Sequence, residues 1–216
     1  MVFFRGNMMP MSASGRSRLQ IVILAAGRSS RLGTPKALAR VHGISLLRRT
    51  LLTVDGLSAM RTIVVHTRNS PRHFIEARSV PCRFVINPRA ADGLSRSVRL
   101  AMKFSLHSPG VLLLPVDLAG LRRRDLQVLI SRWLASRRRI AARRLGSHAA
   151  TPLILPRWLF ARASALSGDR GLRELVSALP AHTRVLLDLP SAASDVDTPQ
   201  DLRAARRVLR GLRTPR

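Results

Sequence analysis

The sequence predicts an α/β protein of three layers, α/β/α, in which helices cover both faces of a mostly parallel, mixed sheet. Apolar runs rich in Val, Ile and Leu recur along the chain, and segments long enough for a helix follow them. These runs are short and do not alternate apolar with polar residues, as is typical of strands buried on both faces. A length of 216 residues suits one domain with one sizeable core.

The strands and helices can be assigned in chain order. Four strands are predicted at the runs LQIVILAA, RTIVVHT, CRFVIN and GVLLLPVD. Three shorter runs, one of which is a candidate for an antiparallel strand, are RIAARR, TPLILP and TRVLLDL. Apolar residues spaced by about 3.6 positions predict helices in the segments SLLRRTLLTVDGL, GLSRSVRLAMKFSLH, LRRRDLQVLISRWLASR, GLRELVSAL and TPQDLRAARRVLRGL.

The chain ends and the single cysteine set expectations about location. Residues 1–18 are predicted to be a disordered extension, since their start lacks the continuous apolar segment of a secretory signal, and Met11 is an alternative start. Residues 19–210 form the predicted domain, followed by a basic tail at 211–216. No apolar run approaches the ~18 residues that span a bilayer, so no membrane association is expected. Cys82 cannot form an internal disulfide, which fits the cytoplasm.

The charge of the chain is strongly positive. Lys and Arg number 38 against 11 acidic residues, which gives +27, and such a field attracts polyanions. The arginines are scattered through every segment, however, and aromatic residues for base stacking are scarce, with no tyrosine. Biased residue use and solvated faces explain most of the excess, so nucleic acid is not the expected partner.

The segment ILAAGRSSRLGTPK follows the first strand, at the end where open α/β sheets bind ligands. The small residues 25–27 allow backbone N–H groups to approach phosphate oxygens, and Gly33 adds a second flexible point. Arg31 and Lys36 contribute cationic side chains suited to phosphate. The segment matches neither G-x-x-x-x-G-K-S/T nor G-x-G-x-x-G, so the two commonest phosphate loops do not apply.

Carboxylates in two further segments are candidate metal ligands. Asp117 ends the buried run VLLLPVD, and an acid at that place in a basic chain suits Mg²⁺. In DVDTPQDL, Thr198 and Asp201 predict a capping box at the start of a helix. This leaves Asp195 and Asp197 unexplained. Two carboxylates on one short loop repel each other and need a cation, from arginine or from a metal.

The residues from Leu24 to Lys36 resemble L-A-A-G-x-S-x-R-x-G-x-x-K at every fixed position. This is the signature of nucleotidyltransferases with the MobA-like fold, and the resemblance is closest to molybdenum cofactor (molybdopterin) cytidylyltransferase-like proteins. The segments INPRAADGLSRSV and LSGDRGLREL resemble the N-P-x-x-x-x-G-x-x-x-S and G-D-x-G-x-R blocks of that family. The resemblance covers about residues 20–203 and implies a Rossmann-like nucleotidyltransferase fold.

The resemblance implies a Mg²⁺-dependent enzyme that transfers CMP from CTP to molybdopterin and releases pyrophosphate. Arg31, Lys36 and Asp117 would be catalytic, and Asp117 with Asp197 would bind the metal, with Asp195 as the alternative. Two residues, Gly168 and Asp169, would lie on the acceptor side. The implied nucleotide-binding residues are Leu24, Ala25, Ala26, Gly27, Arg28, Ser29, Arg31, Gly33, Lys36, Asn87, Gly93 and Ser97.

Two departures from the family pattern leave alternatives open. Ala119 stands where D-x-P has proline, and Ala150 stands where G-x-P has glycine. One alternative is a nucleotidyltransferase with another NTP or with a sugar or alcohol phosphate as acceptor. The other is a non-catalytic protein of the same fold that binds a cofactor or a polyanion. For the cytidylyltransferase, a molybdoenzyme or its chaperone is an expected partner.

Overall fold

The computed structural model describes residues 18–27, 31–58, 60–67, 72–78, 80–167, 171–192 and 195–210. Its strands are β1 (Gln20–Leu24), β2 (Arg40–Val41), β3 (Ile44–Ser45), β4 (Thr62–His66), β5 (Cys82–Ile86), β6 (Gly110–Pro115), β7 (Ile140–Leu145), β8 (His148–Pro156) and β9 (Arg184–Leu187). Its helices are α1 (Leu46–Val54), α2 (Arg72–Glu76), α3 (Leu94–Phe104), α4 (Arg123–Ala135), α5 (Phe160–Ser164), α6 (Leu172–Ser177) and α7 (Pro199–Val208). The predicted extension and tail lie almost entirely outside the described residues.

Seven strands form one mixed sheet in the order β5-β4-β1-β6-β8-β7-β9. The strands β5, β4, β1 and β6 are parallel to one another. The strand β8 is antiparallel to both of its neighbours, and β9 is parallel to β7. The predicted mostly parallel, mixed sheet is confirmed, and the antiparallel strand is the one that contains the run TPLILP.

The alternating side chains of β1 explain the three layers. Ile21 and Ile23 pack on one face of the sheet with apolar residues of α1 and α4. Val22 and Leu24 pack on the other face with apolar residues of α3, α5 and α6. All five residues of β1 are buried, as a strand covered on both faces requires. The predicted three-layer arrangement is therefore confirmed.

One glycine permits the close packing of α4 on the sheet. The ring of Trp133 is fully buried against β6, and a Cβ placed on Gly110 would lie 2.5 Å from Trp133 Cζ2. A side chain at position 110 would also lie 3.1 Å from the carbonyl oxygen of Leu155 in the neighbouring strand. The indole therefore fills the space that glycine leaves empty, and substitution there would overpack the core.

Short elements were not predicted. The helices α2 and α5 each have five residues, too few for an apolar stripe to repeat at helical spacing. The strands β2 and β3 have two residues each and form a hairpin around His42 and Gly43, which both have positive φ. This turn suits a two-residue hairpin. Its His42 ring lies 2.7 Å from the carbonyl oxygen of Arg206, so the hairpin contacts α7.

In the part of the chain that the structure describes, no helix has the length and apolar character needed to cross a membrane.

Candidate active site

The candidate site lies at the carboxyl ends of β1 and β6. The chain runs outward from β1 to β4 and β5 and then returns to place β6 on the other side of β1. This reversal of strand order opens a crevice where α/β sheets bind ligands. The last residues of the two strands, Leu24 and Pro115, are in register, so the segments that follow them start side by side.

The loop after β1 leaves the sheet through small residues. Ala25 and Ala26 are buried, and the N–H of Ala25 donates to the carbonyl oxygen of Val65 at 2.8 Å. Gly27 is exposed, with no atom within 4 Å of the position that a Cβ would take. Gly33 has φ +74°, a conformation that favours glycine. The loop therefore presents backbone and open space at Gly27, as a phosphate-binding segment requires.

Lys36 joins the two candidate acidic segments. Its Nζ lies 3.0 Å from Asp117 Oδ2 and also donates to Asp197 Oδ1. Only 16% of the Lys36 side chain is exposed, against 20% for Asp117 and 40% for Asp197. The structure thus brings three predicted site residues into contact, although they come from three distant parts of the sequence.

The surroundings change the pKa values of this cluster. Burial alone would lower the pKa of Lys36, but the hydrogen bonds and charges of Asp197 and Asp117 outweigh it and raise the pKa above the ordinary value. Burial raises the pKa of Asp117, and the charges of Asp195 and Asp197 add to that rise, against the opposing effect of Lys36. These contacts favour the charged form of the ammonium, and the Lys36 charge offsets part of the cost of burying the Asp117 carboxylate.

Backbone hydrogen bonds hold the two acidic segments together. The carbonyl oxygen of Asp117 accepts from the N–H groups of Ala119 and Val196, each at 2.9 Å. On the other segment, Asp201 Oδ2 accepts from the N–H of Asp197 at 3.0 Å. The positions of Asp117 and Asp197 are therefore coupled through backbone as well as through Lys36. A proline at position 119 would lack one of these donors.

The remaining charged residues surround this cluster. Arg31 is exposed, and its Nη2 lies 4.0 Å from Asp197 Oδ2. Asp195 turns to another partner, since its Oδ1 lies 3.4 Å from Nη1 of Arg143. No motif in the sequence marks Arg143 as a site residue. The sequence does contain one indication of such a residue. Asp195 and Asp197 on one short loop require a cation, and an arginine can supply it.

Other predicted residues lie elsewhere along the same edge. Asn87 follows β5, two strands from β1, and its Nδ2 donates to Ser97 Oγ at 3.0 Å. Both side chains are buried, so in this structure they bind each other. Gly93 precedes α3 with φ 101°. Four predicted residues lie outside the described residues, so their predicted roles stay predictions: Arg28, Ser29, Gly168 and Asp169.

The sequence matches the family described as "MobA-like NTP transferase domain" over residues 21–185. The chain belongs to this family. Membership makes the MobA-like domain a nucleotidyltransferase, and it confirms the predicted resemblance. The match ends before the segment that contains Asp195 and Asp197.

Two curated relatives share part of the MobA-like domain. A "Bifunctional IPC transferase and DIPP synthase" of Rubrobacter xylanophilus is 40% identical over 97 residues, which are 42% of this chain and 22% of that protein. A "Probable molybdenum cofactor guanylyltransferase" of Rhodopirellula baltica is 34% identical over 117 residues, 53% of this chain and 56% of that protein. The matches thus span between about a fifth and just over half of the relatives' own length.

A solved structure shares the fold. Rv0371c of Mycobacterium tuberculosis H37Rv, in complex with manganese, superposes with a TM-score of 0.70 at 22% identity. The superposition covers 88% of this chain and 99% of that one. At this identity the likeness supports the fold and not a shared substrate.

The carboxylates of the candidate site suit a hard divalent cation. Within the described residues no group of three or more His, Cys, Asp or Glu side chains forms a metal cluster. Asp117 and Asp197 nevertheless both offer carboxylate oxygens to one cation, the ammonium of Lys36. Mg²⁺ is commonly bound by one or two carboxylates together with waters and substrate phosphates. The pair therefore fits such an ion.

Proposed function

We propose that the chain transfers CMP from CTP to a phosphate of molybdopterin, with Mg²⁺ as the cofactor and pyrophosphate as the second product. The observation that supports this most strongly is the contact of Lys36 with Asp117 and Asp197 at the carboxyl ends of β1 and β6. A cation and two carboxylates at that place meet the needs of a triphosphate substrate, which brings negative charge and a bound metal to the same point.

In the proposed reaction an ionised phosphate oxygen of the acceptor attacks the α-phosphorus of CTP. A new P–O bond forms to the acceptor, the bond between the α-phosphorus and the bridging oxygen breaks, and pyrophosphate leaves with the electron pair. No general base is required, because the acceptor oxygen is already deprotonated at neutral pH. The protein contributes position and charge, which dominate catalysis of phosphoryl transfer.

Each residue has a defined task in this proposal. The backbone N–H groups after β1 and the guanidinium of Arg31 hold the β- and γ-phosphates, which become the leaving group. Lys36 shifts its ammonium from the carboxylates to the α-phosphate as negative charge develops there. Asp117 and Asp197 would hold a divalent cation, which would neutralise charge on the phosphate oxygens.

The choice of nucleotide and acceptor rests on the resemblance of the loop. Residues 25–27 are Ala-Ala-Gly. In the family that the loop resembles, members with this sequence commonly use pyrimidine nucleotides, which favours CTP. GTP is the second candidate, because the relative from Rhodopirellula baltica carries the name of a guanylyltransferase. A different acceptor is a third candidate, because the relative from Rubrobacter xylanophilus is named for another transferase reaction.

The test is turnover by the purified chain. Molybdenum cofactor, Mg²⁺ and one nucleotide at a time are mixed with the protein, and release of pyrophosphate is followed. We expect release with CTP, and loss of at least about a hundredfold in kcat for Asp117→Asn. Asp188→Asn is the matched control, because the Asp188 side chain is 81% exposed and lies outside the cluster. Faster release with GTP would overturn the choice of CTP.

A further inference from the structure

Arg143 is a buried arginine beside the acidic segment that precedes α7. It belongs to β7, and only 5% of its side chain is exposed. The pairing of β7 with β8 shifts register between Ala142 and Arg143. Irregularities of this kind redirect side chains and are frequent beside active sites. A guanidinium removed from water requires polar partners, so the groups around Arg143 must supply them.

Those partners come from the segment between β9 and α7. Nη1 of Arg143 donates to the carbonyl oxygen of Ala192 and lies 3.4 Å from Asp195 Oδ1. The next residue, Val196, donates its N–H to the carbonyl oxygen of Asp117. Two consecutive residues are thus fixed to β7 and to the segment after β6, immediately before Asp197.

We propose that Arg143 is a positioning residue, which binds Asp195 and the Ala192 carbonyl group and thereby holds Asp197 beside Asp117 for a divalent cation. Asp195 is then the partner of Arg143 and is not a metal ligand. Of the two acids between which the sequence leaves the choice open, Asp197 is then the metal ligand. The positioning of Asp197 by Arg143 does not depend on the proposed function. Only the use of the bound cation in catalysis rests on that proposal.

The sign of the effect separates positioning from simple electrostatics. Removal of a positive charge near two carboxylates should, by charge alone, tighten the binding of a cation. If Arg143 instead holds the segment in place, the same removal weakens cation binding despite that gain. Removal of the Asp195 charge weakens binding on either account. The two accounts therefore differ in the arginine variant and in the double variant.

The experiment measures Mn²⁺ binding to the full chain without nucleotide, by electron paramagnetic resonance. The variants are Arg143→Gln, Asp195→Asn, their combination, and Asp197→Asn. Arg144→Gln is the matched control, because Arg144 follows on the same strand and forms an exposed pair with Asp188 at 3.2 Å. Hydrogen exchange at the Val196 amide of the metal-free protein supplies a readout that needs no metal.

We expect Mn²⁺ to bind about tenfold more weakly in Arg143→Gln, Asp195→Asn and the double variant alike. Exchange at the Val196 amide should quicken in all three, while Arg144→Gln resembles the wild type in both measurements. Asp197→Asn should lose more affinity than any of them.

Three results would overturn the inference. They are unchanged or tighter Mn²⁺ binding in Arg143→Gln, opposite effects that cancel in the double variant, and a loss in Asp195→Asn equal to that in Asp197→Asn. If Arg143→Gln does not fold, Asp195→Asn decides through the exchange rate at Val196, because the Asp195 side chain is 47% exposed. A wild type that binds Mn²⁺ as expected but turns over no nucleotide would contradict the proposed function alone.

Discussion

Lys36 cannot neutralise two carboxylates and a triphosphate at the same time. In the structure its ammonium contacts Asp117 and Asp197, and these contacts help to hold its pKa above the ordinary value. A nucleotide that arrives with a divalent cation supplies both exchange partners, since the carboxylates can bind the metal while the ammonium binds phosphate. In the proposed reaction the buried charges would therefore be compensated both before and after the substrate binds.

The second lysine of the chain provides a control for this role. We expect Lys36→Gln to lower kcat for pyrophosphate release by roughly 10²- to 10³-fold, because an amide carries no charge to stabilise the transition state. Lys103→Gln, on the exposed face of α3, should leave kcat unchanged. Equal losses in the two variants, measured at saturating CTP, would refute the assignment of Lys36.

His73 should make folding stability depend on pH. His73 belongs to α2, and its ring is fully buried. Burial lowers the pKa of the ring from 6.5 to about 4, and the charge of His66 adds to this effect while Glu76 opposes it. Between these values the unfolded chain binds the extra proton and the folded chain does not. The contribution of His73 to the free energy of unfolding is therefore full above pH 6.5, and roughly 3 kcal/mol of it is lost as the pH falls from 6.5 through 4.

Urea unfolding at pH 7 and at pH 4.5 tests this dependence. His73→Gln should reduce the difference in unfolding free energy between the two pH values, because the titrating ring is gone. The exposed His148 offers the comparison, and His148→Gln should keep the full difference. An undiminished difference in His73→Gln would show that other groups cause the loss in acid.

At the scale of elements, the start of α7 links helix stability to the site. Thr198 accepts from the N–H of Asp201, and Asp201 accepts from the N–H groups of Thr198 and Asp197. The predicted capping box is therefore confirmed. The same carboxylate that caps the helix also fixes the backbone of a candidate metal ligand.

Thr198→Ala should lower the free energy of unfolding by about 1 kcal/mol, since it removes the hydroxyl that accepts from the Asp201 N–H and donates to the Asp201 carboxylate. It should also raise the Mn²⁺ concentration needed for half-maximal binding, because Asp201 no longer has its hydroxyl partner. Thr183→Ala removes a comparable exposed hydroxyl, which donates to the Pro180 carbonyl oxygen, and should change neither quantity. A loss of stability without any change in Mn²⁺ binding would show that the helix cap does not affect the candidate metal ligands.

Sequence patterns predicted the strands and helices that are specified by the local order of apolar residues. Apolar runs marked the strands β1, β4, β5 and β6, although in the edge strand β5 only Val85 is buried, and helical spacing marked α1, α3, α4, α6 and α7. An antiparallel strand was expected among the three short runs, but which run it would be could not be predicted, because a buried strand has the same pattern with parallel and with antiparallel neighbours. The five-residue helices α2 and α5 were too short to show a helical period.

The candidate site was likewise predictable in its contiguous motifs and not in the contacts between them. The loop from Leu24 to Lys36 and the two acidic segments were visible as motifs, because each is contiguous in the sequence. The contact of Lys36 with Asp117 and Asp197 depends on the sheet order, which no local pattern specifies. The pairing of Asp195 with Arg143 depends on the register of β7, and one residue of slip would turn that side chain to the other face.

At the scale of the whole molecule, four of the eleven acids belong to the segments where the basic field would otherwise repel a cation. The acids Asp117, Asp195, Asp197 and Asp201 belong to one group of segments, although the chain has only 11 acidic residues and a net charge of +27. The field can attract anionic substrates from a distance. In the proposed reaction the local carboxylates would still bind a divalent cation at the point where the phosphates arrive.

Salt should separate binding that depends on this field from chemistry at the site. We expect the affinity for single-stranded DNA, measured by fluorescence anisotropy, to fall at least about a hundredfold between 50 and 200 mM NaCl, because such binding releases condensed counterions. Pyrophosphate release from CTP should change much less over the same range, since the Lys36 side chain is only 16% exposed and buried charges are weakly screened. A chain that binds CTP and DNA with the same steep salt dependence and releases no pyrophosphate would instead be a polyanion-binding protein on this fold.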